Sequence, residues 1–338
     1  MAEKSYDGMI ITKFNNIKYI ANHLPTSFTV CLLKENPIIF TTAMDKELFS
    51  GISPIEVKEF ESFSNLKSIF RDENLKKIAI EGSFPIKYYK KIDSDKTKKE
   101  SWSLFIEKFL EKERMVKSKE EIENIKKATE IAHKSLNELD IHEKQGSSYT
   151  DCEIAYELGY LMRSNGASEE SFETIVATGP NSSFPHAKLK NRKLENIVLM
   201  DWGSKYHGYC SDTSRTMIDG RNEKQKEIFD IVLETHNKTI KSIKSGIKAC
   251  KIDAIARSII SEYGYGNNFI HATGHSLGLD VHEIPIISKQ DKTILEKNMV
   301  ITVEPGIYLK EEFGVRIEDT VVVGKNKAEI IGKLTYEL

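Results

Sequence analysis

Long apolar runs are missing from this chain, and so is any excess of charge of one sign. No window of the 338 residues holds about 18 consecutive apolar residues, which excludes a transmembrane helix. With 49 basic against 51 acidic residues, a formal net charge of −2, nothing supports nucleic acid or an anionic membrane as the main partner. Cysteine is scarce as well. Cys31, Cys152, Cys210 and Cys250 lie far apart and form no CxxC pair. They exclude a disulfide framework and read as reduced thiols of a cytoplasmic protein. The start, MAEKSYD, lacks a basic segment followed by an apolar core, so no secretory signal is read.

What is present describes an ordinary globular chain, 39% hydrophobic and 30% charged. At about 100–200 residues per domain, two domains are expected. Residues 1–115 read as a small α/β domain, with strands at Met9–Ile11, Tyr19-Ile20, Phe28–Leu33, Ile38–Thr42 and Lys76–Glu81. Lys-rich stretches at Lys46–Phe49 and Tyr88–Lys91 fit connecting helices. This part holds one histidine, His23, and no cluster of ligands, which points to shape or assembly. The charged segment EKERMVKSK, residues 111–119, reads as the boundary, with a solvated helix end as the alternative.

Residues 116–338 read as the chemical half. Ser118 with Glu121 forms a capping box signal, and Ile122, Ile125, Ala128, Ile131, Ala132 and Leu136 follow at helical spacing. A second helix is expected over Thr150–Arg163, a strand over Phe172–Ala177, then a loop carrying His186. Helices over Glu223–Ser245 and Asp253–Tyr263 precede a last stretch of strands. Helix pair, strands and hairpin thus occur twice.

Two hairpins carry acids. The apolar run Ile197–Met200 ends in Asp201, and Asp212 follows eleven residues on. A turn over Lys205–Gly208 would place them opposite each other, with Cβ atoms about 4.5–5.5 Å apart. Two buried carboxylates that close require a proton or a cation between them. In the second hairpin, Glu304 and Glu318 would face each other around a turn near Leu309–Phe313. The loop HATGHSLGLDVHE, residues 271–283, adds His271, His275 and His282, and its glycines argue against a regular helix. Gly274 and Gly278, bracketing His275, would let backbone approach whatever that imidazole binds. One histidine reads as a ligand and the others as substrate contacts.

Four carboxylates and a neutral imidazole call for two divalent cations. Oxygen-rich ligation with one nitrogen suits Mn²⁺, Co²⁺, Fe²⁺ or Zn²⁺ in a two-metal hydrolytic site, where a bridging hydroxide attacks a carbonyl carbon. On these residues alone, His186 stays open between a loop histidine and a functional one. Arg316, two residues before Glu318, reads as a partner orienting a ligand carboxylate. Trp202 points away from Asp201 and reads as core, and His207 as a loop residue near the mouth.

The segments LMDWG, YCSDTSRT, HATGHSLGLDVHE, ITVEPGIY and GVRIEDT resemble, in order, the motifs of the pita-bread metallopeptidases. That superfamily includes methionine aminopeptidase, aminopeptidase P and prolidase. The likeness runs from about Ser118 to the end, with Ser214 where the pattern has Thr. The segment NIKYI, residues 16–20, more loosely resembles the creatinase-type domain found before the catalytic domain in the Xaa-Pro branch. The fold implied is α+β, a pita-bread domain preceded by a small α/β domain.

The resemblance implies Asp201, Asp212, His275, Glu304 and Glu318 as ligands of two divalent ions, Mn²⁺ or Co²⁺ before Zn²⁺ or Fe²⁺. Asp212 and Glu318 would bridge both ions. Glu304 would also shuttle a proton, His186 and His282 would contact the scissile carbonyl, and His271 and Arg316 would line the prolyl side. It implies cleavage before proline in short peptides, as a dipeptidase in preference to an aminopeptidase P, and a homodimer. A methionine aminopeptidase, a creatinase-type enzyme and a non-catalytic binding protein of this fold are the further alternatives.

Overall fold

The computed structural model describes residues 6–51, 55–62, 65–93, 102–144, 148–218 and 220–336. The chain divides into two compact units, Met1–Leu110 and Glu111–Leu338. No helix among the described residues is long and apolar enough to cross a membrane.

The N-terminal unit is built on a six-stranded mixed sheet. Its order is Glu56–Glu59, Ile38–Thr41, Thr29–Leu33, Gly8–Ile11, Lys77–Ile80 and Ser103–Ile106. Successive residues of the central strands serve opposite faces, and both faces are buried. Ile10, Val30 and Phe40 pack on one side, and Met9, Ile11, Cys31 and Ile39 on the other. A sheet covered on both faces requires continuous apolar runs, which is why these strands were readable. The two outer strands, EVKE and SLFI, carry too little of that pattern.

Tyr19-Ile20 is not a strand. It lies in the helix Phe14–Ala21, where Ile17 and Ala21, four apart, bury one face. Helical spacing outweighs the β propensity of the Tyr-Ile pair.

In the second unit the helix Lys119–Leu139 opens with the expected capping box. Glu121 N–H donates to Ser118 Oγ at 3.2 Å and Ser118 N–H to Glu121 Oε2 at 2.8 Å. Thr150 and Glu153 repeat the device at the helix Asp151–Ser164. The pair Glu223–Ser242 and Ala249–Glu262 follows, and among the described residues every strand pairing in this unit is antiparallel. Helices paired beside antiparallel sheets make the unit α+β.

The segment 111–119 is not the solvated helix end that its charges offered as an alternative. Arg114 and Lys117 are buried, at 5% and 2% exposure, and bind carboxylates of the histidine loop. Charge in a short run does not show whether its partners wait elsewhere in the fold.

Candidate metal centre

The first hairpin is longer and tighter than expected. Lys205 pairs with Cys210 and Tyr206 with Tyr209, so the turn is the two residues His207-Gly208, both at positive φ. Such a two-residue turn suits the twist of a hairpin. Further down, Trp202 pairs with Thr213 and Asp201 with Ser214. Asp201 and Asp212 are therefore not opposed. Moving the turn by one residue moves each partner by two, so both acids keep the same face as diagonal neighbours. His207 stacks on Tyr206 and is not among the residues lining the cavity.

Between the two strand pairs the ladder breaks at Gly203. A Cβ there would sit 2.0 Å from the carbonyl oxygen of Ser211, so only glycine permits the approach that turns Asp212 inward. Trp202 is fully buried and donates through Nε1 to the Ala132 carbonyl at 3.0 Å, anchoring the strand behind Asp201.

The second hairpin keeps one register throughout. Val303 pairs with Asp319 and Gly306 with Arg316, which puts Glu304 and Glu318 opposite each other between the two ladders, as expected. A bridge from Ser214 to Glu318 then joins the hairpins, with Glu318 N–H donating to Ser214 O at 3.0 Å.

His275 enters on the short strand Gly274–Ser276, between Glu283–Ile287 and Val300–Val303. The glycines around it serve protein contacts, not a ligand as expected. A Cβ on Gly274 would meet Thr302 O at 2.0 Å, and one on Gly278 would meet the Glu283 carboxylate at 2.8 Å.

These elements converge on a cavity of about 370 Å³. Its walls include Asp201, Asp212, His275, Glu304, Glu318, His186, His271, His282 and Arg316, all nine sequence candidates. Donor atoms of Asp212, His275 and Glu318 lie within 4.8 Å of one another. His275 Nε2 is 3.5 Å from Glu304 Oε1 and 3.6 Å from Asp212 Oδ2. Two buried oxygens, Asp201 Oδ1 and Glu318 Oε1, have no hydrogen-bond partner. A buried carboxylate oxygen without a donor is costly, and this donor set fits divalent cations.

Electrostatics agrees. Burial, then Glu318, Asp201 and Glu304, hold the Asp212 carboxyl well above the usual carboxylate range. Burial with Glu304 and Asp201 does the same to Glu318, and burial pushes Glu304 up to about 8. Burial and His282 pull His275 down to about 4, leaving a neutral imidazole able to ligate. Burial and Arg316 lower His271 to about 3.

Arg316 corrects the charge count. Its Nη2 donates to Asp201 Oδ2 at 2.7 Å, so four carboxylates and one guanidinium leave three net negative charges. The same guanidinium donates to Ser214 Oγ at 2.8 Å, Tyr308 Oη at 2.9 Å and Pro185 O at 3.1 Å. Ser214 Oγ in turn donates to Glu318 Oε2 at 2.7 Å. Tyr308 Oη also meets His271 Nε2 at 2.9 Å. Sequence reasoning missed Tyr308. Its only signal was its place in ITVEPGIY, inside an apolar strand.

Three comparisons bear on this site. The profile of Metallopeptidase family M24 matches residues 123–325, and that of the Creatinase/Prolidase N-terminal domain matches residues 1–116. The chain is 37% identical to the Xaa-Pro dipeptidase of Pyrococcus horikoshii over 342 residues, covering 100% of this chain and 96% of that one. The crystal structure of the prolidase from that organism superposes with a TM-score of 0.93 at 36% identity, covering 99% and 96%. The X-Pro aminopeptidase of Thermotoga maritima follows at 0.88 and 32%, covering 98% and 97%.

Proposed function

Because the chain belongs to metallopeptidase family M24, with a creatinase-type domain before a pita-bread domain, we propose that it is an Xaa-Pro dipeptidase working with two divalent cations. The observation that carries this reading is the cluster of Asp212, His275 and Glu318, with two partnerless carboxylate oxygens beside it in one cavity. Preference for a dipeptide is supported by the full-length likeness to the Pyrococcus dipeptidase.

Asp201, Asp212, His275, Glu304 and Glu318 would hold the cations, Asp212 and Glu318 shared between them. Mn²⁺ or Co²⁺ suits the donor set, with Zn²⁺ or Fe²⁺ next. Such a pair supplies a nucleophile at neutral pH and charge stabilisation at the carbonyl oxygen. Glu304, on the cavity wall beside the other acids, would take a proton from the attacking water and pass it to the prolyl nitrogen. His186 and His282, both exposed at the cavity wall, would donate to the carbonyl oxygen as charge develops there.

His271, held by Tyr308, lines the prolyl side. Arg316 has donors committed to four protein acceptors and acts by orienting Asp201, so its part in binding proline is indirect. The four unpaired cysteines fit a cytoplasmic setting, and a homodimer is carried over from the resemblance.

Purified protein loaded with Mn²⁺ or Co²⁺ should hydrolyse an Xaa-Pro dipeptide. Hydrolysis of Xaa-Pro-Yaa alone would move the assignment to an aminopeptidase, the activity named for the Thermotoga neighbour.

A further inference from the structure

Ser276 and Glu283 pair across the ends of a six-residue loop, 277–282, whose last residue is His282. The His282 ring lies 4.4 Å from that of His275. One buried lysine holds both ends of this loop. Lys117 Nζ donates to Ser276 Oγ at 2.9 Å and to Glu283 Oε2 at 3.2 Å. Arg114 reaches the other Glu283 oxygen, and its Nη2 donates to Asp280 Oδ2 at 2.7 Å. Within the loop, Asp280 N–H donates to Glu283 Oε1 at 3.1 Å. Glu283 is the hub, and the close approach of its carboxylate to Gly278 leaves no room for a side chain there.

The cations come from a firm support. Lys117 N–H donates to Asn298 O at 3.0 Å, and Val116 bridges Met299 beside the strand Val300–Val303. A charge as buried as Lys117 must be paired, and such pairs seldom add net stability over apolar side chains that would fill the same space. What this one does contribute is geometry, since three charged groups converge on the loop that ends in His282.

We propose that Lys117 and Arg114 are positioning residues for catalysis, clamping Glu283 so that His282 is aimed into the cavity. This rests on the reading of His282 as the contact to the scissile carbonyl. His275 itself pairs with Ile286 and donates through its N–H to Thr302 Oγ1 at 3.1 Å, contacts the clamp does not make, so metal binding should not depend on it.

Lys117→Met keeps the bulk and removes the charge. Glu283→Gln removes the hub's charge and keeps its shape, should the first variant fold poorly. In either, hydrogen exchange in a peptide spanning 277–282 should rise about tenfold or more while the core helices stay protected. On an Xaa-Pro dipeptide, kcat should fall about 10- to 100-fold with metal content unchanged, and KM should stay within about threefold. In a His282→Ala background the same substitution should add little. Unchanged exchange in the loop overturns the clamp, whatever the activity. Raised exchange with losses that simply multiply those of His282→Ala overturns the positioning role, as does loss of metal. If the unsubstituted enzyme cleaves no Xaa-Pro dipeptide, the functional reading fails while the exchange measurement still decides the clamp.

Discussion

Glu81 in the N-terminal unit and Glu318 in the catalytic unit are nearly sealed from solvent, at 1% and 2% exposure, yet their oxygens meet different surroundings. Glu81 accepts from Thr12 N–H at 2.7 Å, Thr12 Oγ1 at 2.8 Å, Lys13 N–H at 2.6 Å and Asn16 Nδ2 at 2.7 Å. Glu318 accepts one bond, from Ser214 Oγ, and its second oxygen has none. Asp45 and Asp201 repeat the contrast. Asp45 takes four hydrogen bonds from Thr26 and Ser27, whereas Asp201 leaves Oδ1 unmet. Burial costs every carboxylate its hydration. Glu81 and Asp45 offset that with donors from their own unit, whereas Glu318 and Asp201 each keep one oxygen for which an ion would be the partner. Between these two pairs, acidity and depth do not tell the cavity carboxylate from the structural one, and the unmet oxygen does.

Removing a proposed shared ligand should break the catalytic side of this contrast outright. Asp212→Asn changes the shape little and removes a charge that the proposed cations would need. Turnover of Xaa-Pro substrate should fall by about three powers of ten or more, equal to about 4 kcal/mol, with fewer than two metal ions retained. Undiminished turnover at full metal content would sink the metal-centre reading.

Stripping the metal should expose the carboxylates to pH. The folded pKa of Glu304, about 8, lies above its ordinary value of about 4.3. The folded protein then keeps a proton that the unfolded chain has released, so stability falls as pH rises toward 8. His271 and His275, lowered to about 3 and about 4, act in the opposite sense, but only below about pH 6.5. The clean window is therefore about pH 6.5 to 8. The melting temperature of chelated protein should decline across it, and saturating Mn²⁺ should flatten the decline. A flat profile without metal would mean that the acids are satisfied by something else. Arg316→Lys should act more mildly. Lysine cannot reproduce the contacts to Asp201, Ser214, Tyr308 and Pro185. Losses of about 10- to 100-fold in kcat/KM or metal affinity are expected, as for other partners of metal ligands.

Residue type and spacing made most of the cavity residues legible, because carboxylates ending apolar strands and histidines in a glycine-rich loop are unusual without a ligand. His186, by contrast, gained a role only through the family resemblance. The pairing of Asp201 was misread because the His207-Gly208 turn places a histidine at positive φ, where Asn or Asp is the ordinary signal. The error left both acids on one face, since strand alternation forgives a shift of two. Tyr308 was invisible because a buried tyrosine on an apolar strand looks like packing until its hydroxyl is seen between His271 and Arg316. Arg114 and Lys117 were hidden for the converse reason. A run of charges reads as solvated, and their partners Asp280 and Glu283 lie more than 160 residues away.

The smallest effect on the reaction should come from the satisfied side. Burial raises the Asp45 carboxyl, but the hydroxyl and amide donors of Thr26 and Ser27 outweigh it, and its pKa lies below the usual range. A depressed folded pKa contributes stability above the ordinary value of about 3.9, and that contribution is lost as pH falls through the depressed one. Asp45→Asn keeps one acceptor and gives up the charge-assisted bonds, a loss of about 1–2 kcal/mol at neutral pH. The variant should melt lower than the parent at pH 7, and the gap should close in acid, where the parent loses the same bonds. Metal content and kcat of the folded protein should not move, because all four donors to Asp45 belong to Thr26 and Ser27. If Asp45→Asn lost metal, hydrogen-bond satisfaction would no longer separate the two classes of acid, and the distinction between the units would have to rest on something other than unmet oxygens.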